Sequence, residues 1–356
     1  MRIQLADEAV EVFTISPRTT EQKLYWRDIQ TVARLSQQFD CTGVLIFTGN
    51  DVYVEPWIVA HYLITETETL CPLVAVNPVY MHPFSAAKMI SSLAYLYKRK
   101  VYLNLVTGTA LSYLEALGDR LSHDERYERL GEYVQIISRL LSDDGLTSFD
   151  GKFYQVSNLV LLPKVPKSLL PGFLVAGQSE AAREICRSVG GVGMQMLQPG
   201  LDQSINAQTG IHFGIVTRDK EEKAWEAAKR LYPEDEAGRE VLDYSMSNTD
   251  SVWKRHLKGI SDDEAKLPAN YWLTPFRNLK ADCPYVVGDY ECVVNLLVSL
   301  IEKGIRVFVL EAPPHEEEFR HIDTAFRMAA ERLATGSGAT VRLMKESSTE
   351  SLASRS

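Results

Sequence analysis

The chain has 356 residues, with 38 Lys and Arg against 47 Asp and Glu, for a net charge of −9. That deficit of positive charge argues against a nucleic-acid phosphate track and against an anionic-lipid surface, both of which need clustered Lys and Arg. An apolar fraction of 45% and a charged fraction of 24% are those of a globular protein, and no apolar run reaches the roughly 18–20 residues of a membrane span.

The N-terminal stretch MRIQLADEAVEVF carries carboxylates where a secretion signal needs an unbroken apolar core. Five cysteines form an odd set with no CxxC pair. Neither a disulfide framework nor a metal site is expected, and buried thiols in a reducing cytoplasm are the simplest reading.

In chain order, β-branched apolar runs at 9–15, 43–48, 73–79, 101–106, 173–176, 191–196, 211–217 and 306–310 read as strands. They are apolar nearly throughout, as parallel strands covered on both faces must be. Helical periods lie between them. Residues 123–142 set Tyr127, Leu130, Val134, Ile137 and Leu141 on one stripe, and Ser122 with Glu125 forms a capping box at its start. The helix at 180–189 opens after Ser179 and stops at Gly190, 290–303 stops before Gly304, and the last runs from 316 to about 334.

Eight strands alternating with helices predict a (β/α)8 TIM barrel over residues 1–335, an open doubly wound sheet being the competitor. The interval 218–289, between the seventh strand and its helix, is too long for a bare loop and predicts an insertion with a helix of its own, DKEEKAWEAAKRL. Residues 336–356 read as a disordered tail.

Three places could carry chemistry. In FLVAGQSEAAREIC, a strand, a Gly-x-Ser turn and a helix put Ser179 at an N-cap after Gly177 and leave backbone N–H groups facing outward, an anion seat. A plain N-cap is the alternative; a hydrolase elbow would need glycine where Ala181 stands. In VYLNLVTG, Asn104 and Thr107 are polar residues at the C-terminal end of a strand, where a barrel binds its ligand, though Thr107 or Thr109 could simply cap a helix. In SHDERYERL, His123 and Tyr127 share one face of a helix start. The parity of His212 along its strand decides whether it faces the barrel interior. His315 and His321 lack the spacing of a metal-binding helix face. No P-loop and no GxGxxG follows a strand.

The stretches CTGVLIFTGN (41–50), NLVTG (104–108), HDERYE (123–128), FDGKFYQVSNL (149–159), AGQSEAA (176–182), RDKEEKAWEAAKRL (218–231), VVGD (286–289) and VFVL (307–310) resemble the bacterial luciferase-like flavin monooxygenases. Among these the alkanesulfonate monooxygenases are the most similar. The resemblance spans about Tyr25 to Met328. It implies a barrel that takes reduced FMN from a separate NAD(P)H:flavin reductase and uses O₂, through a C4a-peroxyflavin, to oxygenate a small molecule, commonly as a dimer or tetramer.

By motif position, Gly177, Gln178 and Ser179 would hold the FMN phosphate with His123 and Tyr127 close by, Asn104 would meet the isoalloxazine edge, and 218–289 would be a mobile lid. The alkanesulfonate enzymes' Arg-x-His of strand seven is His212-Phe213-Gly214 here, their Ser-Gly-Tyr after strand eight is Glu311-Ala312-Pro313, and their cysteine after strand two has no equivalent in GNDVYVEPW. Arg277 stands near the family's lid arginine, followed by a segment about two residues longer. The flavin half is expected to be kept and the sulfonate half rewritten, with His212 and Arg277 as the catalytic candidates and Glu311 a rim carboxylate that repels anions and attracts amines.

The expected activity is a cytoplasmic, reduced-FMN-dependent monooxygenase acting in secondary metabolism on a non-sulfonate substrate. Alkanesulfonate monooxygenase proper, a deazaflavin-dependent oxidoreductase and a non-catalytic flavin-binding barrel are the alternatives.

Overall fold

The computed structural model describes residues 1–5, 8–18, 21–142, 145–200, 208–262, 267–337 and 342–343. Eight strands close into a parallel barrel: β1 (Ala9–Ile15), β2 (Gly43–Ile46), β3 (Cys71–Val76), β4 (Tyr102–Leu105), β5 (Gly172–Ala176), β6 (Val192–Met196), β7 (Thr209–Arg218) and β8 (Val307–Glu311). Each pairs with the next in parallel, and β8 closes the ring on β1 through Val307↔Glu11 to Leu310↔Thr14. All eight expected strands are present, and the fold is the (β/α)8 barrel. The lumen is filled by Phe13, Ile15, Leu45, Leu73, Leu174 and Val309, a packed core in place of a pore.

The helices form where the local signals put them. His123–Ser142 buries Tyr127, Leu130, Val134, Ile137 and Leu141. Its capping box is made: Glu125 N donates to Ser122 Oγ, and Ser122 N donates to Glu125 Oε2 at 3.1 Å. Glu180–Val189 is capped by Ser179 Oγ accepting from Ala182 N, and ends on Gly190 in the left-handed conformation. The last helix runs to Ser337, past the expected end. Arg342–Leu343 pair with Ile3–Gln4, and the rest of the expected tail lies outside the described residues. No described helix is long and apolar enough to cross a membrane.

The segment between β7 and its helix Tyr290–Glu302 holds the expected helix, Glu221–Leu231, and further helices at Glu236–Ser247, Val252–Ser261 and Thr274–Arg277. The charge-rich stretch 245–262 is thus largely helical, and residues 263–266 lie outside the described residues. β7 is the reason the insertion docks. It is ten residues long and buried throughout, and β6 and β8 pair only with its first half. Beyond the last pair with β8, Gly214↔Glu311, residues Ile215–Arg218 would be left with open backbone groups. The insertion supplies a strand, Tyr285–Asp289, parallel to them.

Candidate active site

Asn104, His123, Tyr127, Gln178 and Ser179 line one cavity of about 160 Å³ at the C-terminal ends of β2 to β5. Phe47, Ala75, Val106 and Ala176 form its apolar barrel wall, and Val252 and Trp253 of the insertion close it from above. Five of the eight candidate residues are thus brought together, and Gly177 joins them from the turn beneath. That glycine has φ +121°, and a Cβ on it would stand 2.3 Å from Tyr127 Oη. No side chain fits there, because the backbone approaches the tyrosine hydroxyl directly.

Tyr127 Oη donates to Ala176 O at 3.0 Å. Burial pushes its phenol up, against the opposing pull of Thr107 and Ser179, so it stays a neutral donor. The His123 and Tyr127 rings lie 5.1 Å apart, with His123 Nδ1 bonded to Asp124 at 2.7 Å. Ser179 and the free N–H groups of the Glu180–Val189 helix supply the partial positive charge an anion needs.

A second group occupies the mouth above β1, β7 and β8. His212 shares its strand parity with Gly210 and Gly214 and faces the lumen, while Ile211 and Phe213 pack outward. It does not line the cavity of Tyr127 and Ser179. Its Nε2 is buried without a hydrogen-bond partner, 3.7 Å from Glu311 Oε2. Glu311 in turn takes Arg18 Nε at 2.8 Å, and Arg18 Nη1 meets Asp282 of the insertion at 2.7 Å.

Burial alone would raise the Glu311 carboxyl, but Arg18 and then His212 reverse this and hold it below the usual carboxylate range. The rim carboxylate expected to repel anions and draw amines is therefore already committed to an arginine. His212, Cys283 and Glu311 bring ligand-type atoms within 4.8 Å of one another. Arg18 has taken the charge of that set, and burial followed by Glu311 drives the Cys283 thiol well above its ordinary value. A second cation there would face a guanidinium and a protonated thiol.

Opposite Gly214, which stands where the resembling enzymes carry a histidine, the space is filled by another side chain. A Cβ on Gly214 would lie 2.2–2.4 Å from the Tyr285 ring. Arg277 belongs to the short helix Thr274–Arg277, where its Nη2 donates to Thr274 Oγ1 at 2.8 Å. It lines neither the cavity nor the Arg18 group. Sequence reasoning passed over Arg18, Phe47, Trp253, Asp282 and Tyr285. For Arg18 a signal existed: it directly follows the C-terminal end of a barrel strand, where such folds place functional groups.

Residues 10–199 match the family of luciferase-like monooxygenases. A curated relative, 4-(gamma-L-glutamylamino)butanoyl-[BtrI acyl-carrier protein] monooxygenase BtrO of Niallia circulans, is 31% identical over 312 residues, 84% of this chain and 90% of that protein. Among solved structures, EDTA monooxygenase EmoA from Chelativorans sp. BNC1 superposes with a TM-score of 0.66 at 12% identity, over 90% of this chain and 94% of its own. Riboflavin lyase RcaE, solved with modified FMN and riboflavin, gives 0.70 at 16% identity, over 90% and 91%. At these identities the two structures speak for the fold alone.

Proposed function

This chain belongs to the luciferase-like monooxygenase family, and from that premise we propose that it is the oxygenating half of a two-component system. It takes reduced FMN from a separate reductase and oxygenates an organic, non-sulfonate substrate in a tailoring step. The observation that carries the reading is the cavity itself, which sets an anion seat at Gly177–Ser179 across from an apolar wall. A flavin mononucleotide is an apolar disc with a phosphate at the end of its chain, and the donors present fit both parts.

The phosphate would lie on the N–H groups at the start of the Glu180–Val189 helix, with Ser179, Tyr127 and His123 around it, and Asn104 would meet the ring edge. Reduced flavin, when bound, supplies the electrons that activate O₂. The protein's part is to orient and to exclude water. Phe47, Val106 and Ala176 hold one side of the ring space dry, and Val252 and Trp253 cover it, which is the lid role proposed for the insertion. Tyr127, kept neutral by burial, offers a hydroxyl without competing negative charge.

The carrier-bound acyl substrate named for the Niallia circulans relative supports tailoring over sulfonate degradation. His212, displaced from the cavity and tied to Glu311, remains the proposed acid–base group for the substrate side, and Arg277 is kept only as a lid residue. The test is oxygen consumption with reduced FMN against a reduced deazaflavin, together with FMN titration of Ser179→Asp. That variant keeps the cap but sets a carboxylate against the phosphate, and should weaken binding by about 1–3 kcal/mol. Equal affinity would move the phosphate elsewhere, and turnover with the deazaflavin alone would replace the cofactor.

A further inference from the structure

The flavin cavity uses only one side of the barrel mouth. On the other side, Asp282 sits between two cations, with Oδ2 2.7 Å from Arg18 Nη1 and Oδ1 3.5 Å from Lys254 Nζ. Arg18 comes from the barrel, just beyond β1, whereas Asp282 and Lys254 come from the insertion. The Arg18 guanidinium also lies 4.4 Å from the centroid of Phe47, which lines the flavin cavity. It therefore stands at the partition between that cavity and a neighbouring groove of about 490 Å³, whose walls include Pro17, Tyr232, Lys280, Glu311 and Pro313. The side chains of Arg18 and Asp282 keep 27% and 22% of their exposure, so solvent reaches the pair. A buried salt bridge would be sealed.

We propose that Arg18 and Lys254 form the seat for a carboxylate group of the substrate, and that Asp282 is the internal occupant a ligand displaces. The substrate class that follows is an aliphatic organic acid. Its carboxylate takes the place of Asp282, and its chain lies along the proline- and tyrosine-walled groove. This deepens the monooxygenase reading and rests on it for calling the ligand the substrate.

Three observations converge. A bidentate-capable guanidinium stacked on an aromatic face is the group best suited to a planar carboxylate. With Asp282 displaced, two cations face the single carboxylate of Glu311, and Glu311 is already bonded to the Arg18 Nε edge. The site then favours an anion and disfavours an amine. Finally, the occupant belongs to the same segment as Trp253, so ligand entry at Arg18 and rearrangement of the cavity's cover are one event. An internal competitor lowers apparent affinity by the fraction of time it occupies the seat. Removing its charge must therefore tighten ligand binding, a gain that mere damage to packing would not produce.

The experiment is isothermal titration of the full-length protein with glutarate, glutaramide and 1,5-diaminopentane, with oxidised FMN titrated separately by fluorescence quenching. Wild type should bind glutarate weakly and neither of the other two. Asp282→Asn should bind glutarate at least fivefold more tightly, and Arg18→Gln should lose it. Asp282→Asn carries the test if Arg18→Gln does not fold. Glutarate affinity unchanged or weakened in Asp282→Asn, or a preference for the diamine, overturns the proposal. Protein that takes FMN but no glutarate in either form refutes this inference alone; protein that takes glutarate but no FMN refutes the flavin reading alone.

Discussion

Gly214 offers the sharpest test of how the substrate side of the barrel is built. An ideal Cβ at this position stands 2.2–2.4 Å from Cζ, Cε1 and Cε2 of Tyr285, whereas carbon atoms rest about 3.5–4.0 Å apart. The ring would have to retreat by more than an ångström, and it has no room. Tyr285 is fully buried, its hydroxyl pairs with that of Tyr232 at 2.5 Å, and the two rings pack edge to face at 5.1 Å. Overpacking of this kind costs about 3 kcal/mol at the upper end. Replacing glycine within a strand returns about 0.5–1 kcal/mol of backbone entropy. Gly214→Ala should therefore lose about 2 kcal/mol of stability, read by urea unfolding with tryptophan fluorescence. In the double variant with Tyr285→Leu the loss should be clearly less than additive, because the shorter side chain vacates the space. Gly214→His, which restores the residue type of the resembling alkanesulfonate enzymes, should be worse than alanine. A Gly214→Ala protein within 0.5 kcal/mol of wild type would refute the placement of the Tyr285 ring, and with it the claim that packing has replaced that histidine.

Three further outcomes are expected. Glu311 has its folded pKa held below its unfolded value, so its contribution is fully present above the unfolded pKa near ~4.3 and is lost as pH falls through the folded value. Glu311→Gln should then cost about 3 kcal/mol at pH 7 and flatten the loss of stability below about pH 4; an unchanged acid limb would assign that loss to other carboxylates. Alkanesulfonates offered with reduced FMN and O₂ should release no sulfite, since His212 stands in place of the strand-seven arginine and Pro313 in place of the tyrosine after strand eight; turnover near ~1 s⁻¹ would reveal a sulfonate site of another form. Because Val252 and Trp253 cover the cavity, FMN should slow limited proteolysis within 245–262, and cleavage there at equal rates with and without flavin would separate the insertion from the flavin site.

What the sequence by itself determined is everything that rests on local chemistry. The strands were legible because parallel strands buried on both faces must be apolar runs. The helix ends at Ser122, Ser179, Gly190 and Gly304 were legible because orphan backbone groups and left-handed caps select few residue types. The residues of the Tyr127 cavity followed from the same logic: Asn104, Tyr127, Gly177 and Ser179 occupy strand ends and helix starts, whose position in a barrel is set by topology; the flavin was implied by the family resemblance.

The charged group above β1, β7 and β8 was decided by tertiary structure alone. Arg18 lies 293 residues before Glu311, Asp282 comes from within the insertion, and no periodicity records which charges will meet. Read singly, Glu311 is a free carboxylate and Gly214 only a histidine missing from the family's pattern. In the fold one is spent on an arginine and the other is filled by a tyrosine, because β7 outruns its neighbours and the insertion must supply a strand to cover it. That strand brings Asp282, Cys283 and Tyr285 to the barrel mouth with it.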